Sequence, residues 1–456
     1  MRVLGAKDAA AIMISNMVGT GILTLPGLIA LSFGTTPFVL LAWTLGGLLS
    51  LAGALVQAEL GCRYPLAGGD YVFLRAAYGE LPAFLSGWTS FAIGFPGAIA
   101  LAAMAAAQCL LDAGSWHVPR TQEVALAAGI LVAISLVHSA GLRVGSLFQN
   151  GLTGVKIAIL LAIVAAGWAV FQPRSGDVVR EAVPLAESRP RSWWVAAFLI
   201  LFTYSGWNAA AYVAGEIRDP RKNLPRALAS GVILVTVLYL LVNWTYVRVV
   251  SPESLGGINL PGEVARELFG AAGKRVASAV LLCVLVGTAS AMVLTGPRIY
   301  YAMARDGLFP SALTAVGSSS RAPVRSLWVQ TAWSVGILVA GLLLTPSGKA
   351  LRDTFEMVAS WTNFAILPFA ALTTSSVFVF RARDRLRGSD PPWRSPGYPW
   401  TAIAFVAAAS TVTAFAFATN SPEYQLQGAV GFALVAAGIP AYVLSRIFFR
   451  RAQYSA

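Results

Sequence analysis

Long apolar stretches separated by short polar segments recur along the whole chain. We count twelve of them, each long enough to cross a hydrocarbon core of about 30 Å as a helix. We number them span 1 to span 12, and they cover residues 8–33, 36–60, 83–111, 122–140, 150–171, 193–215, 228–250, 275–303, 326–345, 355–380, 399–418 and 427–448. This pattern predicts an all-α polytopic membrane protein with about twelve transmembrane helices.

The composition supports a membrane protein. Of the 456 residues, 57% are hydrophobic and only 12% are charged, whereas charged residues make up about 25% of a typical soluble domain. The formal net charge of +13 would suggest nucleic-acid binding in a soluble protein. Its distribution indicates membrane topology instead, because 21 of the 33 Lys and Arg residues fall on one side of the twelve alternating spans.

The positive-inside rule places that basic side, and both termini, in the cytoplasm. We therefore expect a multi-pass protein of the cell inner (plasma) membrane. Its partners would be membrane lipid and a small molecule, with no nucleic acid.

Two spans carry small, flexible residues where a membrane helix should be continuous. Span 1 contains Gly19-Thr20-Gly21, and span 6 contains Ser205-Gly206 followed by Asn208. A lipid-exposed break would leave backbone groups without partners, so a break is tolerated only where it lines a cavity. Paired breaks in corresponding positions of two halves indicate a transport site. The alternative is close helix packing through small residues, which is common in membranes.

A broken helix exposes both kinds of backbone group. Free amides at Gly19, Thr20 and Gly21 can receive a carboxylate without any basic side chain. Free carbonyls can accept from an ammonium group, and those we expect to be available belong to Met17, Phe202, Thr203 and Ser205. A site with an anion end and a cation end a few ångströms apart matches an α-amino acid.

Lys156 is a charged residue inside span 5. A charge at the bilayer centre costs roughly 2.5–3.5 kcal/mol on insertion scales, so it requires partners. Because Lys156 lies near the inner end of the span, its side chain could instead extend to the membrane surface. Span 8 supplies a small polar patch around Thr288, followed by Met292.

Several motifs resemble those of the amino acid–polyamine–organocation superfamily, closest to its L-type amino acid transporter group. The shared motifs are Gly19-Thr20-Gly21-Ile22, Ala58-Glu59-Leu60-Gly61, Tyr64-Pro65, Gly68-Gly69-Asp70-Tyr71, Pro82-Ala83-Phe84-Leu85 with Trp88 and Pro96, Ser205-Gly206-Trp207-Asn208, the run from Glu216 to Pro225, Arg298, and the run from Arg305 to Pro310. Their order extends from span 1 to span 8, within a resemblance that covers spans 1 to 10.

The resemblance implies a LeuT-type fold with discontinuous helices 1 and 6. It also implies two inverted five-helix repeats, at residues 1–171 and 193–380, with two additional helices at 399–456. The whole chain would form a single membrane transport domain.

The resemblance also implies roles for individual residues. Thr20 and Gly21 would bind the substrate carboxylate, and the Phe202 ring would be an aromatic gate. Asn208 would line the side-chain pocket. The ammonium of Lys156 would replace a sodium ion, bonded to span 1 carbonyls and to Thr288, so transport would be sodium-independent.

Two positions differ from relatives of this group. The outer loop after span 3, residues 112–119, lacks the cysteine that bonds a glycoprotein partner in animal members. We therefore expect no disulfide-linked heavy chain. Met292 stands where some relatives carry a bulky aromatic gate residue.

These observations predict a sodium-independent exchanger of neutral L-amino acids that works by alternating access. We see no acidic residue in the pocket-forming segments to hold a cationic side chain. The alternatives are a permease for a modified amino acid, such as a sugar–lysine adduct, and a proton-coupled symporter. No filter motif indicates a channel. No metal-ligand spacing or catalytic arrangement indicates an enzyme, a metal or a cofactor.

Overall fold

The computed structural model describes residues 2–169, 181, 193–251, 254–255, 260–270, 273–317, 322–344, 351–418 and 422–454. These residues are almost entirely helical. Their one extended pairing is an isolated parallel bridge between Leu4 and Ile217. The predicted all-α class is confirmed.

The helices follow the predicted order of spans. In the first half they are Ala6–Met17, Thr20–Thr24 and Pro26–Phe33 in span 1, Thr36–Arg63 in span 2, the short helix Asp70–Tyr78, Glu80–Thr89 and Phe95–Gly114 in span 3, Arg120–Ser139 in span 4 and Leu142–Ala169 in span 5. In the second half they are Trp193–Thr203 and Ala209–Tyr212 in span 6, Pro220–Val249 in span 7, the short helix Leu260–Phe269, Gly273–Thr295 and Pro297–Arg305 in span 8, and Val324–Leu344 in span 9. They continue with Leu351–Arg387 in span 10, Trp400–Ala418 in span 11, and Pro422–Ala436 and Gly438–Tyr454 in span 12.

The two broken spans stand apart from the others. Among the described residues, ten helices are long and apolar enough to cross a membrane, and they correspond to spans 2 to 5 and 7 to 12. Spans 1 and 6 do not qualify as single helices because each is divided, at Val18 and Gly19 and over residues 204–208. The predicted breaks are therefore present in the backbone.

Three predicted helix limits were wrong by seven or eight residues. Span 5 begins at Leu142 rather than at residue 150. Span 7 begins at Pro220 rather than at residue 228, because a proline in the first turn does not interrupt a helix. Span 10 continues to Arg387, beyond its predicted end at residue 380. The prolines from Pro391 onwards follow the end of that helix and do not limit it.

The broken spans lie at the centre of the bundle. Residues Ile12 to Met17 of span 1 are all buried. In the most apolar stretch of span 8, 61% of the residues are buried inside the protein, whereas in that of span 12 only 11% are buried. Span 8 therefore belongs to the core around the breaks, and span 12 lies at the edge of the bundle.

Main-chain hydrogen bonds join the N-terminal end of span 1 to the C-terminal end of span 6. The amides of Val3 and Leu4 donate to the Glu216 carbonyl at 2.9 and 3.0 Å, and the Arg218 amide donates to the Leu4 carbonyl at 2.8 Å. We call this pairing the inner clamp. It positions the segment before span 1 against the segment after span 6.

A buried carboxylate connects span 2 to span 10. Glu59 is fully buried and accepts hydrogen bonds from Arg63, from Arg381 at 2.7 and 2.8 Å, and from the Ser395 amide at 2.8 Å. A buried carboxylate is tolerated when it is paired in this way. The cluster fixes the C-terminal ends of these two helices relative to each other.

Candidate functional site

One cavity of about 150 Å³ lies where the two broken spans meet. All eight residues predicted to bind substrate line it, namely Met17, Gly19, Thr20, Gly21, Phe202, Thr203, Ser205 and Asn208. Thr288 and Met292 of span 8 line it as well. The folded chain therefore brings together segments almost two hundred residues apart in sequence.

The span 1 break presents amides to this cavity. The helix resumes at Thr20 after Gly19, whose backbone is extended with φ −131° and ψ −152°. The first amides of a helix have no partner within the helix. The described backbone hydrogen bonds outside the helices include none from the amides of Gly19, Thr20 or Gly21. These donors are available to an anion in the cavity.

The span 6 break depends on Gly206. Its φ of +94° is a conformation that side chains disfavour. A Cβ atom there would also lie 2.9 Å from the backbone carbon of Asn16. Only glycine satisfies both conditions without a rearrangement, so the break in span 6 is pressed directly against span 1.

Gly21 also contributes to helix packing, in addition to the backbone role that we predicted for it. A Cβ atom at Gly21 would lie 3.0 Å from Oγ1 and 3.1 Å from Cα of Thr203. The missing side chain therefore allows span 1 to approach span 6. This packing concerns the missing side chain and leaves the backbone amide of Gly21 available to a ligand.

The predicted carbonyl acceptors are partly engaged. The Tyr239 hydroxyl donates to the Met17 carbonyl at 2.6 Å and is 3.2 Å from the Thr203 carbonyl. The Phe202 carbonyl accepts from the Ser205 amide at 2.9 Å. A carbonyl has two lone pairs, so each can accept a second hydrogen bond. Tyr239 was missed in the sequence because it lies in span 7, outside both breaks.

Lys156 is fully buried and connects three spans. Its Nζ donates to the carbonyls of Ser15 at 2.9 Å and Val18 at 2.8 Å, and to Oγ1 of Thr288 at 2.8 Å. All three protons of an ammonium group therefore have acceptors. The side chain points into the protein, so extension to the membrane surface does not occur.

Gly287 makes room for this lysine. A Cβ atom at Gly287 would lie 2.6 Å from Cε of Lys156. Its carbonyl accepts from the Ser15 hydroxyl at 3.0 Å. Span 8 thus provides space for the Lys156 side chain at Gly287 and an acceptor for its ammonium group at Thr288. The Gly287 carbonyl adds a hydrogen bond to span 1.

A carboxylate lies at the cavity, which corrects our expectation that the pocket-forming segments contain no acid. Asp70 begins the short helix after span 2, is 8% exposed and lines the cavity. It accepts hydrogen bonds from Gln57, from Nδ2 of Asn208 at 2.9 Å and from the Tyr212 hydroxyl at 2.8 Å. Burial raises the pKa of the Asp70 carboxyl, and the hydrogen bonds from Tyr212, Gln57 and Asn208 oppose that rise.

The two predicted gate residues both lie at the cavity. Phe202 and Met292 are half-buried and both line the cavity. Span 10 contributes Asn363, which the sequence analysis did not identify, and its Nδ2 donates to the Phe198 carbonyl at 3.0 Å. The cavity is therefore lined mainly by spans 1, 3, 6, 8 and 10, with further residues from spans 2 and 11.

Comparisons with known proteins agree with this architecture. A family model described as "Amino acid permease" matches residues 4–439. The serine/threonine exchanger SteT of Bacillus subtilis (strain 168) is 26% identical over 443 residues, which cover 96% of this chain and 95% of the relative. The b(0,+)-type amino acid transporter 1 of Oryctolagus cuniculus is 27% identical, with 83% and 76% covered. The Asc-type amino acid transporter 1 of Mus musculus is 28% identical, with 83% and 70% covered.

Proposed function

The chain belongs to the amino acid permease family of the amino acid–polyamine–organocation superfamily, and from that premise we propose that it is a sodium-independent exchanger of neutral L-amino acids. It is a multi-pass membrane protein with a LeuT-type fold, and its family consists of transporters rather than enzymes. The observation that carries the proposal is the cavity between the two broken spans.

The roles proposed for the cavity residues follow from backbone chemistry. The substrate carboxylate binds the amides of Gly19, Thr20 and Gly21, and its ammonium group binds the carbonyls of Phe202 and Ser205. The carbonyl of Met17 is a third acceptor, although it already accepts from Tyr239. Thr203 lines the same end of the cavity, and Phe202 and Met292 form the gate.

Lys156 supports sodium independence. Its ammonium group occupies a position between the carbonyls of Ser15 and Val18 and the Thr288 hydroxyl. Carbonyl and hydroxyl oxygens around a broken helix are also the ligands of a sodium ion in transporters. A covalently attached cation makes the bound ion unnecessary, so a sodium gradient should not drive uptake.

The wider arrangement is also proposed. Residues 1–171 and 193–380 form two inverted five-helix units, and residues 399–456 lie outside them. Both termini are cytoplasmic in the cell inner membrane, the carrier binds membrane lipid, and it requires no disulfide-linked heavy chain. The small cavity argues against a sugar–lysine adduct as the substrate, since drug-sized ligands need sites of roughly 300–1,000 Å³.

Uptake into liposomes tests this function. Purified protein should take up radiolabelled L-serine rapidly when the liposomes contain unlabelled serine and at least about tenfold more slowly when they are empty, because an exchanger must return loaded. An inward sodium gradient should leave the rate unchanged. Equal uptake by filled and empty liposomes would contradict exchange, and stimulation by sodium would contradict the role of Lys156.

Recognition of both substrate ends gives a second prediction. Because the carboxylate and the ammonium group each bind backbone at a break, L-serine amide and N-acetyl-L-serine should compete with labelled serine at least about tenfold more weakly than serine. A hydrogen bond to a charged group contributes about 1.5–3 kcal/mol, and each derivative loses at least one such end. Strong competition by the amide would place the carboxylate elsewhere.

A further inference from the structure

We infer that Asp70 is a positioning residue that makes Asn208 a hydrogen-bond acceptor toward the substrate side chain, so that the site selects small amino acids with a hydroxyl group. This inference rests on the proposed function, since it assumes that a neutral amino acid occupies the cavity. It concerns which neutral amino acid is preferred and how that preference is set.

The hydrogen bonds around Asp70 fix the orientation of the Asn208 amide. The three hydrogen bonds that Asp70 accepts, from Gln57, Asn208 and Tyr212, favour its ionised form, and an ionised carboxylate can only accept hydrogen bonds. Asn208 must therefore turn its NH₂ group, and not its oxygen, toward the Asp70 oxygen 2.9 Å away. The reversed amide would place two oxygen atoms against each other at that distance.

The second N–H group of the Asn208 amide donates to Tyr212. Nδ2 of Asn208 lies 2.9 Å from the Tyr212 hydroxyl, and that hydroxyl is 2.8 Å from the Asp70 oxygen that Asn208 also contacts. If Tyr212 donates to Asp70, its oxygen accepts from Asn208, and every proton in the triangle has an acceptor. Both donors of the Asn208 side chain are thus used on the side of Asp70.

The side-chain oxygen of Asn208 remains available to a ligand in the cavity. Asn208 is half-buried and lines the cavity. Within the described part of the chain, no side chain or amide donates to its Oδ1, and this atom is not among the polar atoms sealed inside without a partner. The group that Asn208 offers to a ligand is therefore an acceptor.

The size of the cavity then narrows the substrate class. A space of about 150 Å³ is half the lower limit of roughly 300 Å³ for drug-sized ligand sites. A small side chain that ends in a donor satisfies both the space and the acceptor. Serine and threonine have such side chains, whereas valine has the shape of threonine but no donor.

The preference is measured directly by the strength with which L-threonine inhibits serine uptake divided by that of L-valine, which we call the threonine-to-valine ratio. In liposomes loaded with serine, L-threonine should inhibit radiolabelled L-serine uptake roughly tenfold more strongly than L-valine, which is the factor that one ordinary hydrogen bond provides. The Asn208→Ala variant, which lacks the acceptor, should bring the ratio close to one. The Asp70→Ala variant should do the same, because the amide is then free to rotate.

An exchange of the two side chains separates positioning from structural damage. Asn208→Asp alone places two carboxylates together. It should remove the preference for threonine over valine and most of the serine uptake. The double variant Asp70→Asn, Asn208→Asp restores a donor opposite an acceptor, with an oxygen still facing the cavity. It should recover the preference for threonine, which a general loss of folding would not allow.

Asp306→Asn is the matched control. Asp306 also accepts from a tyrosine of the short helix, Tyr71, at 2.8 Å, and it pairs with Arg75 at 2.6 Å, but Asn208 is not among its partners. Its ratio should equal that of the wild type. An unchanged ratio in both alanine variants, or a wild type that does not favour threonine, would overturn this inference while leaving neutral amino acid exchange intact. A wild type that exchanges no neutral amino acid would overturn both.

Discussion

Replacing Lys156 with alanine is expected to abolish exchange while the purified protein remains folded in detergent. The ammonium group donates three hydrogen bonds, two of them to carbonyls at the span 1 break. Hydrogen bonds to charged groups contribute about 1.5–3 kcal/mol each, so losing the two at the break should reduce serine exchange by at least about a hundredfold. Uptake into liposomes measures the loss, and gel filtration measures folding.

Two further variants sharpen this test. Lys156→Met keeps most of the stem but removes the donors, and it should be as inactive as alanine. Arg143→Ala removes an exposed basic residue from the same helix and should retain normal uptake. Normal exchange in the alanine or methionine variant would show that the contacts of Lys156 are not needed for transport.

Replacing Gly206 with alanine is expected to destabilise the protein and to remove exchange. Alanine at a φ of +94° carries backbone strain of about 1–2 kcal/mol. Its Cβ atom would also lie 2.9 Å from the backbone of Asn16, so span 1 must shift next to the Met17 carbonyl. Thermal unfolding of the purified protein and serine uptake should both report the change, and uptake should fall at least about tenfold.

Gly34→Ala is the matched control for this substitution. Gly34 also has a positive φ, of +76°, but a Cβ atom there would meet nothing within 4 Å. The Gly34→Ala variant should unfold at a lower temperature because of the backbone strain, and it should exchange serine normally. If the Gly206 variant exchanged serine as well as the Gly34 variant, the close approach of spans 1 and 6 would not matter for transport.

The sequence predicted the two breaks because their signal is local. Gly19, Gly206 and the polar residues beside them interrupt apolar stretches, and uninterrupted apolar length is what defines a membrane span. The partners of Lys156 were expected only through family resemblance, because nothing within span 5 indicates which carbonyls it meets.

The features that the sequence did not predict depend on tertiary contacts. Asp70 resembles an ordinary loop residue until the fold places Tyr212 and Asn208 beside it. The contact that a Cβ atom at Gly21 would make with Thr203 depends on how two distant spans approach each other. Helix limits in spans 7 and 10 failed because apolar length does not detect helix that continues beyond the membrane.

The inner clamp gives this carrier a coupling that does not depend on amino-acid identity. Its three hydrogen bonds join main-chain atoms of Val3, Leu4, Glu216 and Arg218, and nearly every residue type supplies the same amide and carbonyl. Evolution can therefore alter the side chains of these segments without uncoupling the start of span 1 from the end of span 6. An alanine scan of the region would overlook the connection, whereas a proline at position 4, which removes an amide donor, would reveal it.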